Sequence, residues 1–324
     1  MSGESIRYLS RKDVETIDLP MDSIIEALQL MFAEKGEGRV EMPPKPGIHT
    51  RLDAFIHAMP AYIPKFGAAG IKWISGYPEN HKTGLPYISG LLILNDPETG
   101  FPVSVMDATW ITAMRTGAAT AVAARLLART DSHSAGILGC GVQGRSNLKA
   151  LACVFDIKVA HVYDIRREVA EAYRNDMSES LGIEITIVDH PREAVTDLDV
   201  VVTSGPILKS PSPTIESGWL SEGAFACPLD FDSYWTCAAF EQADLLVTDD
   251  RAQFDFYKTE GYFQRTPAPG ATLDEIVTER HPGRGNARDT IICINLGLAL
   301  EDMATAVAIH AEAVNKGIGT ILPL

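Results

Sequence analysis

The chain has 324 residues, 46% of them hydrophobic and 22% charged, the composition of a globular protein long enough for two domains. A formal net charge of −15 excludes a broad nucleic-acid-binding face, which needs clustered Lys and Arg for phosphate, and fits a chain kept dispersed by self-repulsion. No apolar run reaches the roughly 18 residues of a transmembrane helix, and MSGESIRYLSRKDVE has neither the apolar core nor the cleavage pattern of a secretory leader, so the expected location is the cytoplasm, away from membranes.

The first element with a clear period is Asp22–Glu34, where Ile24, Ile25, Leu28, Met31 and Phe32 recur on one helical face. A polar, proline-bearing connection follows, GEGRVEMPPKPGIHT. The runs AFIHAMPAYI, AAGIKWISGY and ISGLLILND read as strands, the last closing in a turn at Asn95–Gly100. TWITAMRTGAATAVAARLLAR is an alanine-rich helix suited to close packing. From about Ser132 the texture becomes strand–helix alternation. SAGILGCG, KVAHVYD, EITIVD, DVVVTS, GAFACPL and ADLLVTDD read as strands, VQGRSNLKALACVF and REVAEAYRNDMSESLG as helices, and PREAVTD as helix-like. This alternation predicts a doubly wound parallel sheet, a Rossmann-type α/β fold. NLGLALEDMATAVAIHAEAVNKGIG is a final helix with Leu300, Met303, Ala304, Val307, Ala308 and Ala311 on its apolar face and Gly317 as its stop. The five cysteines form no C-x-x-C pair and lie in or beside apolar runs, which reads as reduced core thiols; the eight histidines show no ligand spacing, and no metal is expected.

GILGCGVQGRSN carries the spacing G-x-G-x-x-G at Gly139, Gly141 and Gly144, between a strand and a helix. The first glycine permits the tight turn, the second lets backbone approach a pyrophosphate, and the third lets helix and strand pack closely. Free N–H groups at the helix start complete an anion site. Asp164 closes the next strand twenty positions after Gly144; a carboxylate there accepts from ribose hydroxyls and favours NAD, while Arg166 and Arg167 can accommodate the extra phosphate of NADP.

About 130 residues precede this turn, and two cations stand out among them. Lys72 in GIKWISGYPEN and Arg115 in ITAMRTGAAT sit among apolar and small residues, a costly setting for charge without a partner. An anionic substrate carboxylate would be such a partner; a snorkelling cation or an internal salt bridge is the other reading.

GIKWISGYPEN, MRTGAATAVAARLLAR, GILGCGVQGRSN and NLGLALEDMATA, in this order, resemble the ornithine cyclodeaminase/mu-crystallin family from about residue 20 to 318. The resemblance implies a substrate-binding and dimerisation α+β domain over 1–125, completed by 300–324, with the Rossmann NAD(P)-binding domain over 126–299, and a homodimer. It implies NAD(P)-linked chemistry at an amino-acid α-carbon. By motif, Lys72 matches the family's substrate-contacting lysine, and Arg115, with Thr116 beside it, the arginine that reaches both carboxylate and cofactor. Val142 and Gln143 match the pyrophosphate turn, Asp164 the ribose-binding acid, Thr203 the strand end bordering the cofactor, and Asn295 the nicotinamide end. The family's catalytic acid lies nine residues after the glycine of GAFACPLDFDSYW, which is Asp232, with Asp230 as the alternative should the strand be shorter; the usual glycine-rich surroundings and following basic residue are absent.

Two departures bear on the substrate. Where the family's ornithine enzymes carry a glutamate for the distal ammonium, this chain has His57, and Lys45 stands in the place of a carboxylate-binding arginine. The expected reaction is therefore hydride transfer at the α-carbon of a small amino or imino acid, as an imine reductase or amino-acid dehydrogenase. A redox-neutral cyclodeaminase using NAD catalytically, and a non-catalytic cofactor- and ligand-binding protein, are the alternatives.

Overall fold

The computed structural model describes residues 5–324, apart from the side chain of His81. The chain divides into two compact units: one comprises the described residues through Arg115 together with Leu298–Leu324, the other Thr116–Gly297. The division falls inside the alanine-rich helix, ten residues before the boundary expected at 125/126, and again just ahead of the terminal helix.

In the first unit the elements run β1 (Ser5–Leu9), α1 (Arg11–Ile17), α2 (Met21–Gly36), β2 (Gly47–Arg51), β3 (Ala54–Ile63), β4 (Ala68–Gly76), β5 (Ile88–Asn95), β6 (Pro102–Asp107) and the start of α3 (Thr109–Leu127). The five residues expected on the buried face of α2 are all fully buried. Four elements were missed: β1, α1, β2 and β6. The strand β2 is exposed along its whole length and so carries no period-2 signal. Both β1 and α1 are short, although α1 begins at a Ser10–Asp13 capping box whose S-x-x-D spacing is legible in the sequence.

The second unit alternates β7 (Ser134–Leu138), α4 (Val142–Val154), β8 (Val159–Tyr163), α5 (Arg167–Leu181), β9 (Glu184–Ile187), β10 (Val200–Thr203), β11 (Phe225–Pro228), α6 (Cys237–Glu241), β12 (Leu245–Thr248), α7 (Arg251–Thr259), β13 (Ala271–Thr272), α8 (Leu273–Val277) and β14 (Ile291–Ile294). Its eight strands form one sheet, order β13-β12-β14-β11-β10-β7-β8-β9, with every pairing parallel. This is the doubly wound α/β fold that the alternation predicts. PREAVTD forms only a 3₁₀ turn at Pro191–Ala194, and α6, α7, β13, α8 and β14 were not anticipated. Residue Gly117, in the part of α3 within this unit, explains that helix's small residues: a Cβ there would fall 2.5 Å from the Ser146 carbonyl oxygen of α4.

The chain returns to the first unit as α9 (Ala299–Lys316), stopped at left-handed Gly317 (φ 65°), and β15 (Thr320–Pro323), which pairs antiparallel with β1. The seven-stranded sheet then reads β15-β1-β6-β5-β4-β3-β2. The first turns of α9 are buried all round, and further along Ala306, Ile309 and Ala313 point inward rather than the expected Val307, Ala308 and Ala311. Burial on every side of its start includes Glu301 and Asp302, both fully buried.

The cysteine expectation needs correction. All five are free thiols, but only Cys140, Cys227 and Cys293 are buried; Cys153 is exposed on α4 and Cys237 is partly so at the start of α6. Among the described residues, no helix is long and apolar enough to cross a membrane.

Candidate active site

In the second unit the glycine turn lies between β7 and α4. Gly139 is left-handed (φ 97°), and Gly141 caps α4 without a side-chain hydrogen bond, leaving the first N–H groups of the helix for a ligand. Val142 is exposed and Gln143 opens the helix beside it. The Asp164 carboxylate accepts the Cys140 N–H at 2.9 Å and the Arg166 N–H at 3.0 Å, tying the end of β8 to the turn; an ionised carboxylate retains lone pairs for further donors. The Arg166 Nε lies 3.9 Å from the same carboxylate.

Gly141 and Gly144 are under different constraints. A Cβ on Gly144 would sit 2.2 Å from the Gly139 carbonyl oxygen, whereas one on Gly141 meets nothing within 4 Å. Gly144→Ala is expected to lower the melting temperature by several degrees together with cofactor affinity. On the expectation that a pyrophosphate lies against this turn, Gly141→Ala should keep the wild-type melting temperature and weaken NADH binding by about tenfold or more. Calorimetric melting and NADH fluorescence titration of both variants check this.

At the ends of β10 and β11, Thr203 and the two candidate acids are sorted by their surroundings. Thr203 donates to Asp230 Oδ1 at 2.7 Å and accepts from Trp235 Nε1 at 3.0 Å, and the Gly205 N–H donates to Asp230 Oδ2 at 2.9 Å. Asp230 is fully buried, and burial pushes its carboxyl up to about 7 against those hydrogen bonds. Asp232, in contrast, lines a cleft of about 580 Å³ with Lys209, Tyr262 and Thr266, and burial also raises its carboxyl. The Thr203 hydroxyl is thus committed to holding Asp230.

Asn295 follows β14 and is buried, and its Nδ2 has no hydrogen-bond partner. The loop that carries it is held by Asp249, fully buried at the end of β12, which accepts the Leu296 and Gly297 N–H groups at 2.7 and 2.8 Å. Sequence reasoning gave Asp249 no role, although paired acids ending the apolar run ADLLVTDD are a visible anomaly.

In the first unit, Lys72 on β4 is fully buried. It shares a sheet face with His57 and Met59, since Met59 pairs with Lys72 and His57 with Ile74 in the β3–β4 register. Lys72 Nζ donates to Asp302 Oδ1 at 2.6 Å and to Thr112 Oγ1 at 3.2 Å. Arg115 on α3 is bonded to Glu301 at 2.5 Å through Nη1 and lies 3.0 Å from Asp302 through Nε. Both cations are therefore in internal ion pairs. Glu301 and Asp302, quoted above only as part of a motif, supply them; a charged pair inside the apolar pattern of the last helix was the signal. Burial pulls the Lys72 ammonium down to about 7 and pushes Glu301 up, with Arg115 and Lys45 also acting against the Lys72 charge. His57 is stacked on Phe55 with ring centroids 4.2 Å apart, and burial, with Lys45, His49 and Lys72 nearby, drives its imidazole down to about 3. It is neutral at pH 7 and adds no charge to the cluster. Lys45 is itself buried. Thr116 follows Arg115 on α3, half-buried, its carbonyl accepting from Thr120.

The all-parallel sheet of the second unit, with its glycine turn between β7 and α4, is of the doubly wound type that binds dinucleotides. The sequence model of the ornithine cyclodeaminase/mu-crystallin family matches residues 7–317, and the chain belongs to that family. It is 35% identical to the nodulation efficiency protein NfeD of Rhizobium meliloti, over 98% of both chains. Among solved structures it resembles a Thermococcus litoralis Δ1-pyrroline-2-carboxylate reductase in complex with NADH and L-proline (35% identity, 97% of this chain and 99% of that one, TM-score 0.88). It also resembles an archaeal alanine dehydrogenase dimer with bound NAD (31% identity, 99% of each chain, TM-score 0.88).

Proposed function

We propose that the protein is an NAD-dependent oxidoreductase acting at the α-carbon of a small amino or imino acid, as an imine reductase or amino-acid dehydrogenase. The observation that carries this reading is the buried ionic cluster of the first unit. Lys72 and Arg115 are buried there with Glu301 and Asp302, and Lys45 is buried as well. A substrate carboxylate reaching Lys72 and Arg115 gains charge-assisted hydrogen bonds away from water. The cofactors bound by the reductase and dehydrogenase relatives support NAD.

The residues present fit such a cofactor: Gly141 leaves its approach open and Asn295 keeps an orphaned buried donor suited to an amide oxygen. Gly139 to Gly144 would hold the pyrophosphate, Asp164 the ribose, with Thr116 and Thr203 at the border of the site. Bound nicotinamide supplies or accepts the hydride. Lys72 and Arg115, with Lys45, bind and orient the substrate carboxylate by charge-assisted hydrogen bonds. Asp232 holds the proton that the nitrogen gains on reduction, and Asp230 fixes the loop through Thr203 and Gly205. Neutral His57 replaces the acid that a distal ammonium would need, which disfavours ornithine.

Absorbance at 340 nm tests the reading. NADH or NADPH is offered with cyclic imino acids, or with small 2-oxo acids plus ammonia or methylamine; NAD⁺ is offered with L-alanine, L-proline and L-ornithine while ammonia is measured. Net coenzyme turnover, faster with NADH than with NADPH, is expected. Ammonia release without net turnover makes the protein a cyclodeaminase, and saturable binding with neither makes it a binding protein.

We further propose a homodimer built on the outer face of the seven-stranded sheet. By register, Tyr8, Ile71, Trp73, Leu91, Ile93 and Val105 share the face opposite Lys72, and Trp73 and Leu91 are each 47% exposed. Trp73→Glu is expected to halve the mass seen by light scattering; an unchanged dimer places the interface elsewhere.

A further inference from the structure

We propose that Glu301 and Asp302 are positioning residues of the carboxylate-binding site, fixing Arg115 and Lys72 in place and keeping Lys72 charged for substrate. This rests on the reading above that the two cations bind the substrate carboxylate.

The two acids occupy the first turn of α9, where the positive end of the helix dipole favours carboxylates. Consecutive helical residues point about 100° apart, so the two can serve different cations. Glu301 takes the Arg115 Nη1, while one oxygen of Asp302 lies between Lys72 Nζ at 2.6 Å and Arg115 Nε at 3.0 Å. A single carboxylate oxygen thereby sets the spacing of the two cations. A purely structural role explains this poorly, because buried ion pairs gain little over well-packed apolar residues. Moreover, Glu301 Oε1 and Asp302 Oδ2 are buried without a hydrogen-bond partner, so the pair is arranged for the cations rather than for its own satisfaction.

Asp302 also governs charge. Lys72 faces Asp302 from α9, Arg115 and the Thr112 hydroxyl from α3, His57 from β3, and Lys45 from the segment before β2. Burial and the neighbouring cations work against the ammonium, His57 is neutral, and Asp302 is the group that sustains it. Without Asp302, Lys72 loses its proton at lower pH and with it the means to hold a carboxylate.

The test compares Asp302→Asn, Asp302→Glu and Glu301→Gln for kcat, substrate KM, coenzyme KM and the pH profile of kcat/KM. Asp302→Asn is expected to raise substrate KM at least tenfold, to move the alkaline limb of kcat/KM down by a pH unit or more, and to raise coenzyme KM far less than substrate KM. Asp302→Glu restores the limb at least in part. Glu301→Gln raises substrate KM severalfold with the limb in place, since Glu301 pairs with Arg115 and not with Lys72; this variant carries the test should Asp302→Asn fail to fold. Loss of melting temperature alone, with KM and the limb unmoved, overturns the proposal, as does an equal rise in coenzyme KM. If the wild-type enzyme turns over no imino or amino acid, the catalytic reading fails separately. Calorimetric titration of L-proline into the NAD-loaded protein then decides positioning: weaker binding in Asp302→Asn supports it, and unchanged binding refutes it.

Discussion

On the proposed role of Lys72, Lys72→Met is expected to lower kcat/KM by about 10²–10³-fold, the combined loss of a charge-assisted hydrogen bond to the substrate carboxylate and of its orientation. Methionine fills much of the same fully buried volume on β4, so the packing cost is small. The electrostatic cost is not. Removing one partner of a buried ion pair costs up to about 3–5 kcal/mol, and here Arg115, 3.0 Å from Asp302, offsets part of it. Lys72→Arg does not restore activity, because a fully buried site shaped for an ammonium has no room for the guanidinium fork. The pH dependence has a definite sign. With burial holding the Lys72 ammonium near 7, kcat/KM declines as pH rises through that region and the charge is lost. In Lys72→Met this limb disappears. Steady-state assays from pH 5.5 to 9.5, with urea unfolding of both proteins, measure these effects; a variant that keeps wild-type kcat/KM removes Lys72 from the site.

The second large effect separates the two aspartates. Asp232→Asn is expected to lower kcat by about 10²–10⁴-fold with little change in stability, as removal of a general acid–base group does. Asp230→Asn changes kcat by less than about tenfold and acts instead on stability, since Asp230 is committed to Thr203 and Gly205. Folding raises the Asp230 carboxyl from 3.8 to about 7, so the native state holds a proton there that the unfolded chain gives up. Its contribution is full below about pH 4 and is lost as pH rises towards 7, the reverse of a carboxylate lowered by ion pairing. Asp230→Asn should abolish that decline in urea midpoint between pH 4 and 7. If instead Asp230→Asn abolishes turnover and Asp232→Asn retains it, the acid–base role passes to Asp230.

The parts of this protein that could be read from the sequence share one property: their signal is local. The turn at Gly139–Gly144 announces itself because backbone geometry at three positions fixes residue type, and α2 because a helix half-buried along its length writes a 3.6-residue period. The alternation after Ser132 similarly sufficed for the doubly wound sheet. Elements that escaped are those with no such signature. The strand β2 lies exposed, β15 is an exposed edge, and β14 is four apolar residues buried on both faces, too short to distinguish from a buried helix turn.

Composition, spacing and motif by themselves determined that this is an α/β protein with a glycine turn, an acid at the next strand end, and unusual cations at Lys72 and Arg115. Only the tertiary structure decided what those cations face. Lys72 and Asp302 are 230 positions apart and Arg115 and Glu301 are 186 apart, so their pairing exists only after the last helix returns to the first unit. The same holds for Asp230 and Asp232, two residues apart and alike on paper. The left-handed backbone at Phe231 (φ 60°) lies between them, one carboxyl sealed against Thr203 and the other opening on a cleft. Periodicity reports which residues leave water, whereas burial depth and the partners met there set charge and protonation, and those partners come from distant parts of the chain.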